Sequence, residues 1–125
     1  MVVGIGCDIV EHKITKSLNW ESDPEVLNRI FSQNEMDLYK SYRTIKYISG
    51  RFAAKEAILK CLGRGMQDGI SMRNIQILQS KDGKPFIKLS GSVKKISDRM
   101  GVNLWHITIT HSTDYSLAFV IAESI

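Results

Sequence analysis

Arg51-Phe-Ala-Ala-Lys-Glu-Ala-Ile-Leu-Lys60, closing on Cys61-Leu-Gly63, is the stretch whose reading decides the fold. Alanines and straight-chain residues without a proline predict a helix, and Gly63 predicts its end. Ser41–Arg43 breaks the segment before it, so the helix runs from about Thr44 to Leu62. At about 100° per residue, Ile45, Ile48, Phe52 and Leu59 share one narrow stripe, the side expected to face a core. Glu56 borders that stripe, roughly 40° from Phe52, and Lys60 is one step further round. A carboxylate at such a border costs several kcal/mol to desolvate unless something pairs with it. Two partners are open. Lys60 at i+4 makes the favourable helix pair. Alternatively, Glu56 holds a metal ion and Lys60 meets a phosphate.

Upstream, Val3, Ile5, Cys7 and Ile9 alternate with Gly4, Gly6 and Asp8, which predicts a strand over residues 1–10. Its glycine face is bare backbone beside one carboxylate, and such glycines mark a close approach by another group. That group is either a packed helix or a ligand. Glu11–Leu18 reads as a short helix carrying Lys13 and Lys16. Asp23 caps a helix that starts at Pro24 and packs through Val26, Leu27, Ile30 and Phe31. Ser32 and Glu35 form a capping box for the next helix, through Met36, Leu38 and Tyr39.

Downstream, Gly63–Gly69 is a glycine-rich connection without the GxxxxGK[ST] pattern of a phosphate loop. Ser71–Gln79 and Pro85–Leu89 read as strands joined at the Lys81-Asp-Gly-Lys84 hairpin turn, because Asp-Gly supplies positive φ angles. Ser90–Met100 is an amphipathic helix with Val93, Ile96 and Met100 expected inward. Leu104–Thr110 and Tyr115–Ala122 are strands flanking the loop His111-Ser-Thr-Asp114. Trp105, Ile107 and Ile109 share one face of the first; His106, Thr108 and Thr110 share the other. Helices and hairpin-linked strands together give an α+β class.

A chain of 125 residues suits a single domain spanning 1–125. Its net charge of +4 and pI near 9.1 favour acidic partners: nucleotides, nucleic acid or an acidic protein. Cys7 and Cys61 stand far apart with no CxxC spacing, so neither a zinc site nor a disulfide framework is expected. With no membrane-length apolar run and no signal-peptide pattern, a cytoplasmic protein is expected. Ser112 follows His111 directly, and adjacent turn residues do not form the bond that activates a serine, so a serine hydrolase is set aside. A glycosidase pair of Asp8 with Glu56 is possible by residue type, but the few aromatics make a sugar cleft a poor fit.

Four segments, in order, resemble one family: the 4′-phosphopantetheinyl transferases, and within it the small holo-acyl-carrier-protein synthases. Gly4-Ile-Gly-Cys-Asp-Ile-Val-Glu11 is similar to the family's GxGxDIxE strand, and Gly50–Gly63 to its FxxKEAxxKxxG helix. Asp82-Gly-Lys-Pro85 resembles its hairpin, and Ile107–Ser112 followed by Tyr115 and Ala118 its closing strand pair. The resemblance implies antiparallel strands packed on a long central helix, and a Mg²⁺-dependent transfer of phosphopantetheine from coenzyme A to a serine of an acyl carrier protein. Asp8 and Glu56 would be the metal ligands, and Lys60 would complete the catalytic set against the phosphates. Arg51 and His111 would hold the nucleotide end of coenzyme A, with Lys84 and Pro85 of the hairpin near the adenine.

The same resemblance implies carrier docking near Lys13 and Lys16. Here the chain departs from the family, with lysine and then Ile14 where an arginine usually stands nearby. Thr108 and Thr110 replace the family's serines but keep the hydroxyls, and Val10 stands where the larger transferases carry a second acid. The larger relatives place their site between two similar halves. This chain supplies one half, which implies a homotrimer, acting in the cytoplasm in fatty acid or related lipid metabolism, with no membrane or nucleic-acid partner. The alternative is a non-enzymatic nucleotide- or RNA-binding domain, weakened by the lack of aromatic stacking motifs on its strands.

Overall fold

A computed structural model describes residues 1–65 and 68–125; Met66 and Gln67, within the expected glycine-rich connection, lie outside the described residues. The chain runs β1 (Val2–Glu11), α1 (His12–Ser17), a 3₁₀ turn (Trp20–Ser22), α2 (Pro24–Ile30), α3 (Gln33–Ser41) and α4 (Ile45–Cys61). After a further 3₁₀ turn (Met72–Asn74) come β2 (Ile75–Gln79), β3 (Pro85–Leu89), α5 (Gly91–Arg99), β4 (Leu104–His111) and β5 (Tyr115–Glu123). The strands form an antiparallel sheet in the order β1-β5-β4 and a separate β2–β3 hairpin.

α4 is the axis on which both sheets rest. It starts where the Thr44 hydroxyl accepts from the Tyr47 backbone N–H at 3.2 Å. It ends at Gly63, whose φ of +65° only glycine adopts without strain. The expected single core stripe is not what forms. Ile48, Ala53, Ala54, Ala57, Ile58 and Leu59 are all buried, whereas Ile45 and Phe52 are only half-buried. The reason is position: the three-stranded sheet, the hairpin, α1 and α3 pack around the helix, so almost every side is an inner side. Phe52 instead meets Trp20 edge-on, with ring centroids 4.9 Å apart.

The alanines of α4 and the glycines of β1 answer each other. A Cβ on Gly6 would sit 1.8 Å from the Ala57 carbonyl oxygen, and one on Gly4 would sit 2.2 Å from that of Cys61. The bare face is therefore filled by helix backbone and leaves no room for a ligand. The apolar face of β1 turns outward: Ile5 is 61% and Ile9 58% exposed. Register places Ile5, Cys7 and Ile9 beside Ile121, Phe119 and Leu117 of β5.

A fully buried ion pair ties three elements together. Lys55 of α4 donates from Nζ to Glu35 Oε1 at 2.7 Å, Met72 O at 2.8 Å and Ile75 O at 2.6 Å. Glu35 also closes the expected capping box, accepting from Ser32 N at 3.0 Å, while its Oε2 accepts from Ile77 N at 3.0 Å. Burial pulls the Lys55 ammonium down to about 8, against the opposing pull of Glu35. On α5, Val93 and Ser97 face inward, and Met100, expected there, is exposed because it caps the helix beyond its last turn.

Candidate active site

The expected site residues fall into two clusters on α4. In the first, Asp8 points to the same side as Gly4 and Gly6, level with the last turns of α4. Lys60 Nζ donates to Asp8 Oδ1 at 3.1 Å and to the Cys7 carbonyl at 2.9 Å. Lys60 is thus spent on β1, and no Glu56–Lys60 ion pair forms among the described residues. The i+4 pairing therefore does not describe this helix. Glu56 is half-buried, and its carboxyl is pushed up by burial first, then by the negative charge of Asp8, with Lys60 opposing. The two acids, far apart in sequence, feel each other directly.

Among the described residues no group of three or more His, Cys, Asp or Glu side chains gathers into a metal-holding set. What converges is two carboxylates. That donor set fits Mg²⁺, which takes oxygen ligands, retains waters and shares substrate phosphates, and it does not fit zinc.

In the second cluster, Arg51, Gln79, Gly83, Pro85, Ile109 and His111 line a cavity of about 180 Å³. The Arg51 guanidinium lies 4.0 Å over the Tyr47 ring and donates to Gln79 Oε1 at 3.3 Å. Arg51 is 9% exposed, yet its Nε has no hydrogen-bond partner. An orphaned donor of that kind calls for an acceptor from outside the chain. Beneath it, the Tyr47 hydroxyl donates to the Glu35 carbonyl at 2.8 Å and is pushed up to about 12 by burial. His111, expected in a loop, is the last residue of β4. Burial lowers the proton affinity of its imidazole, and the nearby His12, Lys46 and Arg51 act in the same direction. Pro85 lines the cavity, while the Lys84 side chain is exposed and its backbone carbonyl accepts from Ser80 N at 2.9 Å.

Arg51 and Glu56 are separated by about 7.5 Å along α4 and roughly 140° around it, so the clusters lie on different sides of the helix. Lys13, Ile14 and Lys16 are exposed on α1, whose inner side holds His12 and Thr15. Sequence reasoning missed Tyr47, Gln79, His12 and Ser116. For Tyr47 a signal existed, since it stands one helical turn before Arg51; for the others none did.

Residues 4–120 match the 4′-phosphopantetheinyl transferase superfamily, and the chain belongs to that family. Within it, the chain is 37% identical to a holo-[acyl-carrier-protein] synthase of Hydrogenovibrio crunogenus, over 99% of its own length and 98% of the relative's. The holo-[acyl-carrier-protein] synthase structure of Neisseria meningitidis superposes with a TM-score of 0.89 at 33% identity, covering 99% of this chain and 100% of that one. The Bacillus anthracis holo-(acyl-carrier-protein) synthase, solved in complex with CoA (3′,5′-ADP), gives 0.79 at 32% identity, covering 100% and 99%.

Proposed function

We propose that this chain transfers the 4′-phosphopantetheine arm of coenzyme A to a serine hydroxyl of an acyl carrier protein, releasing adenosine 3′,5′-bisphosphate. The observation that carries this is the raised Glu56 carboxyl, held up by burial first and then by the negative charge of Asp8, a pair of acids that suits a divalent cation. Mg²⁺ held there would supply charge neutralisation on the diphosphate as the P–O bond breaks. Lys60 lies beside Asp8 with two of its three ammonium hydrogens engaged on β1, and the third would meet the leaving phosphate as it develops charge. Arg51 offers its unsatisfied Nε and its Tyr47-braced guanidinium to the nucleotide end, with His111 and Pro85 on the same wall. Lys84, directed to solvent, meets the nucleotide only at the rim. No nucleophile is needed from this chain, because the attacking hydroxyl belongs to the carrier.

Lys13 and Lys16 stand exposed on α1, where point charges steer an acidic carrier; Ile14 between them adds an apolar contact instead of an arginine fork. A homotrimer accounts for two features at once. It covers the outward apolar face of β1 and β5, and it supplies a facing wall to clusters that one chain holds apart. A cytoplasmic role in making carriers for fatty acid synthesis goes with this activity.

The test mixes protein, coenzyme A, Mg²⁺ and an apo carrier protein and weighs the carrier. A gain of one phosphopantetheine is expected, dependent on Mg²⁺. Asp8→Ala and Glu56→Ala should each fold normally and lose transfer by at least about a hundredfold. Wild-type turnover in either variant removes the metal assignment. An unchanged carrier mass together with RNA binding would make the chain a nucleic-acid module instead.

A further inference from the structure

His12 and Ser116 are buried polar residues that the proposed transfer does not use. Ser116 Oγ lies 2.7 Å from His12 Nε2 and 2.7 Å from His111 Nδ1, while His12 Nδ1 lies 3.0 Å from the Thr113 carbonyl. The chain thus runs Thr113, His12, Ser116, His111, and its hydrogens can be placed in order. A carbonyl only accepts, so His12 Nδ1 carries a hydrogen. With one ring hydrogen there, His12 Nε2 is an acceptor and takes the Ser116 hydroxyl proton. Ser116 Oγ then accepts, and the donor is His111 Nδ1–H. The reverse order would need both His12 nitrogens protonated: a buried cation with no carboxylate among its hydrogen-bond partners, which is costly.

We propose that His12 and Ser116 are positioning residues that lock His111 as the Nδ1–H tautomer, leaving Nε2 as the ring's one free nitrogen. The opposite edge of that ring, Cε1 and Nε2, lies against Gly50 on α4, next to Arg51, and a Cβ on Gly50 would fall 2.8 Å from Cε1. A side chain at position 50 would therefore displace the ring, and a glycine there admits it. Nε2 makes no hydrogen bond among the described residues, and His111 lines the cavity with Arg51 and Pro85. The lowered affinity of this imidazole for a proton agrees with a bare Nε2 in the free protein. The lock lets one atom, in one protonation state, meet the ligand. This inference rests on the reading that the Arg51–His111 cavity takes the nucleotide end of coenzyme A.

The spectrum of the uniformly ¹⁵N-labelled full chain tests it, since only three histidines contribute. At mildly alkaline pH, His111 should show a protonated, pyrrole-type Nδ1 and a pyridine-type Nε2, the minor form of imidazole in water. A protonated Nε2 on neutral His111 would overturn the proposal without any variant. Ser116→Ala should abolish that fixed pattern and raise KM for coenzyme A roughly fivefold, the size of one lost hydrogen bond, with kcat within about twofold. Ser116→Thr, which keeps the hydroxyl, should restore both readouts. An Ala variant with an unchanged His111 spectrum, or with kcat reduced and KM unmoved, counts against the lock. His111→Ala separates the two readings. If it leaves KM for coenzyme A unchanged, the nucleotide assignment of the cavity fails, while the spectrum still decides the lock.

Discussion

Lys55 spends all three of its ammonium hydrogens inside the protein, on Glu35 and on the carbonyls of Met72 and Ile75. Removing one member strands the other as a buried charge, which costs about 3–5 kcal/mol. Lys55→Met should therefore lower the thermal midpoint by roughly 10 °C or more. Replacing both, Lys55→Met with Glu35→Leu, should regain part of that loss; a double variant no better than the single one would contradict the account. Differential scanning calorimetry decides it. At this scale the sequence was half legible. Ser32 followed by Glu35 announced the capping box by spacing alone. Nothing local announced that the other Glu35 oxygen serves β2 and that its partner lies on α4, since such contacts are set by the tertiary fold. His12 and Ser116 were hidden for the same reason. Asp8, Glu56 and Lys60 stood out in the sequence by residue type and spacing, but Lys60's attachment to β1 did not.

β1 and α4 approach so closely that backbone touches backbone, and the glycines are what permit it. Gly6→Ala must push the strand off the helix or distort both. It should cost about 3 kcal/mol or more and lose Asp8's placement with it. Circular dichroism melts and the carrier-mass assay measure the two losses together; a Gly6→Ala protein with normal melting and turnover would refute the close approach. Element boundaries followed from caps: Asp23 before Pro24 and Thr44 before α4 stand where local chemistry puts them. In the hairpin Gly83 takes a positive φ of +88° but Asp82 does not, because the turn closes from the Gly83 N–H to the Ser80 carbonyl at 2.9 Å instead of on the Asp-Gly pair alone. The inner face of β1 was not so readable. Alternation normally marks the inner face by its large apolar side chains, and here the inner face carries glycines while the isoleucines look outward. On α4 the stripe rule failed for a related reason, because a helix surrounded by packing partners has no single inner side.

For the whole molecule, the outward row of Ile5 and Ile9 on β1 beside Phe119 on β5 is a surface a lone chain leaves in water. In the proposed trimer it is an interface, so a charge there should disperse the assembly. Ile5→Lys with Phe119→Glu is expected to give a folded monomer by light scattering. That monomer should lose transfer, because the acid pair and the Arg51 cavity no longer find facing walls. A fully active monomer would refute the shared site. The α+β class and its central helix were legible from the sequence, whereas the separation of the site into two sides of α4 required coordinates. The bond from Lys55 to Glu35 reaches further than its immediate neighbours. It spans α3, α4 and the turn into β2, so a partly assembled chain that lacks α3 or α4 holds an uncompensated charge, and one that lacks the turn leaves the Lys55 ammonium without two of its three acceptors. Such a chain has no comfortable halfway state: the protein assembles as a unit or not at all, and a break in the backbone between Cys61 and Ile75 cannot yield two independently stable pieces.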